Sequence, residues 1–295
     1  MAEAFSGDWL ALREPFDAMA RDPGLASRLS AALPARPTLL DLGAGTGSLT
    51  RWLGHAIGRP QAWILADADT LLIDRAFETM EDAALAVGWR TTFPARRTLL
   101  LHSPRGAWRV EAVLADLARA PDGLPLLKAD AVVCSALCDL VSEGWLARIA
   151  AACAARRLPF YAALNVSGRA RFAPPHPGDA WVARGFARDQ RRDKGFGGAA
   201  LGEAAPAAIA RAFAARGYEV LRAPSPWRIP RQAGEMAGEL ASGHAEAALA
   251  SEAPRDGWRI REWLDDRVGE ADAGRLAATV PHDDVLCLPP PRSPR

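Results

Sequence analysis

No run of the 295 residues comes near the roughly 18 to 20 uncharged apolar positions that cross a bilayer, so no membrane-spanning helix is expected. The N-terminal stretch MAEAFSGDWLALREPFDAMA has acids at Glu3, Asp8, Glu14 and Asp17. It lacks the basic start and unbroken apolar core of a signal peptide, which predicts no export and a cytoplasmic location. Cysteine is scarce: Cys134, Cys138, Cys153 and Cys287 form no CxxC pair, and no histidine stands at zinc-finger spacing from them. Free thiols in a reducing compartment and no metal site are the expectation. An excess of one charge is missing too, with 36 Lys and Arg against 35 Asp and Glu. No net field gathers a polyanion, so a nucleic-acid partner is not expected.

What is present reads as an ordinary globule. Hydrophobic residues make up 49% and charged residues 24% of the chain, which is long enough for one large α/β domain with an insertion. Apolar positions at three- and four-residue steps over residues 7–33, from Trp9 through Leu33, predict two amphipathic helices broken near RDPG. They precede the first strand as a candidate lid, residues 1–36. Strands are expected at TLLDL, at QAWILAD (61–67), at DAVVCSA (130–136) and at PFYAALNV (159–166), each but the last followed by a helical pattern. RTLLLHS and AWRVEAVLADL flank SPRG and predict a hairpin leading into a further core strand that ends near Asp116. Strands alternating with helices imply a parallel sheet whose ligands sit at the carboxyl ends of the strands.

After residue 166 the rhythm breaks. Residues 167–202 are polar, charged and glycine-rich, too long for a simple connection, and are expected to be a substrate-region insertion. Residues 203–289 return to the strand-and-helix pattern, with a second insertion at 231–279, rich in Ala, Glu and Arg, that reads as helices. The final residues 290–295 are proline-rich and are expected to be disordered.

The most informative stretch is TLLDLGAGTGSLTRWL, Thr38 to Leu53. A dinucleotide fold wants G-x-G-x-x-G, and the third glycine position holds Ser48; the glycines here are Gly43, Gly45 and Gly47, with Asp41 inside the strand before them. Glycines without Cβ let a ligand lie directly on the backbone, and the helix N-terminus that follows favours a carboxylate. The acid-x-G-x-G-x-G pattern resembles motif I of the class I S-adenosylmethionine-dependent methyltransferases. Asp67 closes the second strand in DADTLLIDRA, as in the family's next motif, with Asp69 as rival; Asp116 with Leu117, and the strand DAVVCSALCDLV, follow in the family's order.

The resemblance covers residues 37–166, the expected cofactor-binding core. It implies a seven-stranded Rossmann-like sheet of order 3-2-1-4-5-7-6 with the last strand antiparallel. It also implies S-adenosyl-L-methionine held by Asp41, Gly43, Ala44, Gly45, Gly47, Asp67, Ala68, Asp116, Leu117 and Ser135. Where base-methylating members carry an Asn or Asp followed by two prolines and an aromatic, Cys134, Ser135, Ala136 and Leu137 stand here. The implied activity is therefore methyl transfer to oxygen or carbon of a small polar metabolite. From the insertions, His176 is a candidate base, and Asp193 and Lys194 are candidate substrate contacts. Arg13 in the lid is another, able to pair with a ligand carboxylate or with an acid on its own helix. A nicotinamide-dependent oxidoreductase, an aminopropyl-type transferase on the same fold and a non-catalytic S-adenosylmethionine-binding module are the alternatives. The oligomeric state is not readable.

Overall fold

A computed structural model describes residues 6–251 and 257–291; the expected tail 290–295 falls mostly outside them. The chain opens with α1 (Gly7–Ala20) and α2 (Pro23–Ala32). The break between them has a simple cause. Asp22 caps α2 by accepting the Leu25 amide, and Pro23 takes the first helical position, where its missing N–H costs nothing.

Next come β1 (Thr38–Leu42), α3 (Ser48–Ile57), β2 (Gln61–Asp67) and α4 (Thr70–Ala86). Three antiparallel strands follow: β3 (Arg90–Ala95), β4 (Thr98–Ser103) and β5 (Gly106–Leu114). Then β6 (Ala131–Ser135), α5 (Glu143–Arg156) and β7 (Phe160–Val166) complete the first half. The second half runs β8 (Arg171–Ala173), α6 (Asp179–Asp189), α7 (Ala205–Ala214), β9 (Glu219–Pro224), β10 (Trp227–Ile229), α8 (Gly234–Ser251), α9 (Gly257–Asp272), β11 (Ala277–Val280) and β12 (His282–Leu288).

The main sheet has nine strands in the order β3-β4-β5-β2-β1-β6-β7-β12-β9, two more than expected. The stretch from β5 to β9, numbered in chain order among its own seven strands, reads 3-2-1-4-5-7-6, and β12 is antiparallel to both its neighbours. β4 and β3 widen the β5 edge. β3 was not anticipated because RTTFPA has no alternating apolar face. It is an exposed edge strand, and Arg90 and Pro94 suit that position.

Side chains alternate across the central strands and feed two cores, one on each face. Leu40, Leu42, Val132 and Cys134 pack with α5 and α7, while Leu39, Trp63, Leu65 and Val133 pack with α2, α3 and α4. The register brings strand ends level: Leu42 lies beside both Ala66 and Cys134, and Asp67 beside Leu114.

The two insertions are not independent appendages. β8 from the first pairs with β11 at the end of the second, and β11 pairs with β10, forming a separate three-stranded sheet. The 231–279 stretch, read as wholly helical, thus contains most of a strand. Its short AATV segment gives too little periodicity to be seen without its partners. Trp9, Leu12 and Phe16 of α1 pack on this annex with Trp227, Ile229 and Leu276.

Candidate functional site

The strand ends of β1, β2, β5 and β6 open into a cavity of about 750 Å³. Its floor is the turn after β1. Gly43 and Gly45 have φ of 64° and 52°, the left-handed region where a Cβ is disfavoured, and both face the cavity. Gly47 serves a different purpose. With φ 78° it starts α3, and a Cβ there would sit 2.3 Å from Met80 Cε. The left-handed backbone is what asks for glycine there, since the flexible end of Met80 can move aside, and Gly47 is not among the residues lining the cavity.

Asp67, at the end of β2, is fixed by backbone donors: its Oδ2 accepts the Gly45 amide at 2.8 Å and its Oδ1 accepts the Asp69 amide at 3.0 Å. This latch ties the glycine turn to the neighbouring strand end and leaves lone pairs facing the cavity. Asp69 is spent otherwise, capping α4 by accepting the Leu71 and Leu72 amides. Asp116 accepts the Ala118 amide at 3.0 Å, and with Leu117 it lines the cavity beside Ala44 and Ala68. Asp41 is buried beneath the turn and accepts Thr50 Oγ1 at 2.9 Å. Burial pushes its carboxyl up to about 7, with the Thr50 hydrogen bond and Arg21 pulling the other way.

The opposite end of the cavity is cationic, and here sequence reasoning missed a residue. Arg21, at the end of α1, has a buried side chain whose Nη1 donates to Ser48 Oγ at 3.2 Å and whose Nη2 donates to Ser135 Oγ at 3.1 Å. Its Nε has no hydrogen-bond partner. The guanidinium therefore sits at the N-terminus of α3, adding a full charge to the helix's own partial positive charge. In sequence it looks like any polar residue in RDPG; only the return of α1 over β6 reveals it. Ser135, on β6, lines the cavity. Ala136 after it has φ 50°, a strained conformation for a residue with Cβ, and also faces the cavity.

Arg13 lines the same cavity, but its guanidinium pairs with Asp17 four residues on at 3.1 Å and lies over the Trp227 ring at 4.8 Å. Asp17 also accepts Trp227 Nε1 at 3.0 Å and lies 3.7 Å from Arg21. Lys194 is buried and reaches the cavity, with its Nζ 2.7 Å from Asp189 Oδ2.

Two further candidates, beside Gly47, are not brought to the cavity. Asp193 is exposed and accepts the amides of Gly195, Phe196 and Gly198, so it organises its own loop. Those backbone donors hold its carboxyl below the usual range. His176 accepts the Gly178 amide on Nδ1 at 2.9 Å, which leaves the proton on Nε2, 3.0 Å from Asp266 Oδ2. Both nitrogens are engaged away from the cavity, so it is not placed as a base. Cys134 and Cys138 are buried with sulfurs 3.6 Å apart. Among the described residues no cluster of three or more His, Cys, Asp or Glu gathers at metal-binding range.

The chain matches no protein-family model and no curated protein. The solved structures that resemble it include S-adenosylmethionine-dependent methyltransferases. One proposed to be a type II methyltransferase, from Anaeromyxobacter dehalogenans, is 18% identical over 91% of this chain and 96% of its own, with a TM-score of 0.49. A cyclopropane synthase from Mycobacterium tuberculosis is 13% identical over 90% of this chain and 83% of its own, with a TM-score of 0.44. A methyltransferase from Geobacter sulfurreducens, solved with S-adenosylhomocysteine, is 18% identical over 91% of this chain and 92% of its own, with a TM-score of 0.40.

Proposed function

We propose that the chain is a class I S-adenosylmethionine-dependent methyltransferase that binds its donor in the strand-end cavity and acts on a small molecule. The observation that carries this reading is the polarity of the cavity along its length. Backbone-fixed carboxylates, Asp67 and Asp116, stand at one end, and Arg21 over the α3 N-terminus stands at the other, with the bare Gly43–Gly45 backbone between. A ribose diol and an adenine amino group are donors that suit the acidic end. A methionine carboxylate suits the cationic end, and its ammonium suits Asp41, which burial keeps ready to titrate near neutrality.

The bound donor supplies an electrophilic methyl carbon on a sulfonium. The chain's own part is positioning: the turn sets the donor's depth, Arg21 and Asp67 fix its two ends, and the lid helix α1 covers it. The last glycine of the dinucleotide pattern G-x-G-x-x-G, which lets the helix pack closely on the strand, is replaced by Ser48, whose hydroxyl is taken by Arg21. That arrangement disfavours a nicotinamide cofactor. The acceptor is proposed to be methylated on oxygen or carbon, because the end of β6 and the turn after it give the cavity Ser135, Ala136, Leu137 and Leu140 and no amide or carboxylate to orient an amine.

Isothermal titration with S-adenosylmethionine, S-adenosylhomocysteine and NAD tests the reading. Saturable binding of the first two and none of the third is expected; NAD binding without the others would overturn it. A non-catalytic module is separated by a methyl-transfer assay over a pool of small metabolites, where product formation is expected.

A further inference from the structure

A second cavity, of about 790 Å³, opens beyond the end of β7. Segment 190–202 divides it from the strand-end cavity, giving Gln190, Arg191, Leu201 and Gly202 to one and Lys194, Gly195 and Phe196 to the other. The second cavity is walled by aromatic rings. Phe186 stacks on His244 with centroids 4.1 Å apart, and Phe172 meets both His244 and Trp263 edge-on at 5.5 and 5.4 Å.

Its rim is cationic. Arg169, Arg171 and Arg191 are exposed, line the cavity and have no ion-pair partner among the described residues. The acids in the lining are Asp179 and Glu203, and Asp179 is already held by Arg267 at 2.6 Å. The cavity lining therefore carries an excess of positive charge on a chain whose formal net charge is only +1.

One polar group is buried in the wall. His244 lines the cavity at 7% exposure, and its Nδ1 lies 2.8 Å from the Leu240 carbonyl. A carbonyl only accepts, so the proton is on Nδ1 and Nε2 is a lone pair. No described residue donates to it. Burial also lowers the ring to about 4, which keeps it neutral at physiological pH. A neutral acceptor in an aromatic wall calls for a ligand with a hydroxyl or N–H on a flat ring.

We infer that this second cavity seats a planar hydroxyaromatic carboxylate, with its ring against Phe172 and Phe186, its hydroxyl at His244 Nε2 and its carboxylate on the arginine rim. This ligand class does not rest on the donor reading above, because the two cavities share no lining residue. The volume admits more than one fused ring.

The test uses the full chain and two probes, hydroxynaphthoic acid and naphthol, in isothermal titration. The acid is expected to bind saturably and naphthol about tenfold more weakly or worse, the scale of one charge-assisted hydrogen bond. The preference should shrink as salt is raised, because exposed cations are screened. The double variant Arg171→Gln, Arg191→Gln is expected to erase it while S-adenosylhomocysteine affinity stays as in the parent. No saturable binding of the acid, equal affinities for the two probes, or displacement of the acid by S-adenosylhomocysteine would overturn the inference. If the double variant fails to fold, the salt response of the parent protein still decides. Failure of S-adenosylhomocysteine to bind while the acid does would instead sink the donor reading and leave the ligand class standing.

Discussion

The strand-end cavity and the aromatic cavity lie on either side of one segment and are built by opposite means. The first is made largely of turns that directly follow neighbouring strands, and its key contacts are backbone amides, such as that of Gly45 to Asp67. The second is made of side chains from β7's end, β8, α6, α8 and α9, held by a small sheet that pairs distant segments. A pocket of backbone turns suits a constant ligand. A pocket of side chains on inserted elements suits a ligand that differs between proteins of one fold.

The two regions also titrate with opposite sign. The Asp41 carboxyl is raised from 3.8 to about 7, so the native state holds a proton the unfolded chain releases, and stability falls as pH rises from about 4 through 7. His244, in the aromatic wall, is lowered by burial from 6.5 to about 4, so the unfolded chain takes protons the native state refuses, and stability falls as pH drops from about 6.5 through 4. In the parent these trends oppose each other. Asp41→Asn should unmask the acid loss and steepen the pH profile by up to about 3 kcal/mol across that window. His244→Phe should flatten it. Urea unfolding at several pH values checks both; identical profiles for all three proteins would remove the contrast.

Asp67→Ala is expected to weaken S-adenosylhomocysteine by about 1.5 to 3 kcal/mol, the scale of lost charge-assisted hydrogen bonds, and to leave hydroxynaphthoic acid binding alone. Calorimetry reads both; parallel losses would mean that the cavities are not separate. A smaller effect is expected at Arg21. The parent should prefer S-adenosylhomocysteine over methylthioadenosine, which lacks the carboxylate, and Arg21→Met should reduce that preference about tenfold. An unchanged ratio would place the carboxylate elsewhere. Least affected of all should be His176→Ala, whose ring lies against Asp266 and Gly178. Both ligand affinities are expected within about twofold of the parent, as for substitutions away from a site. A large loss would return that residue to the binding machinery.

Much of this was legible because it is local. A strand that ends in glycines, an acid at the next strand's end and a run of alternating elements each declare themselves within about ten residues, the range over which periodicity and turn chemistry act. Asp67 and its rival Asp69 are separated by tertiary detail: Asp67 accepts the Gly45 amide across strands, while Asp69 caps α4. The annex was not legible. β8, β10 and β11 are three or four residues long, too short for a period, and form only against one another. His176 and Asp193 drew notice as polar residues in a polar segment, but their partners are in their own loop or on α9.

The order of chain elements by itself determined the central layering and the place where bare backbone lines a cavity, because those follow from side-chain period and from glycine at bends. Tertiary structure alone decided which arginine closes the cavity. Arg13 and Arg21 lie on one helix and read alike, but packing on the annex directs Arg13 onto Asp17 and Trp227 and sends Arg21 to Ser48 and Ser135. The charge of each is written in the chain, while its destination depends also on Trp227 for Arg13 and on Ser135 for Arg21, each more than a hundred residues away.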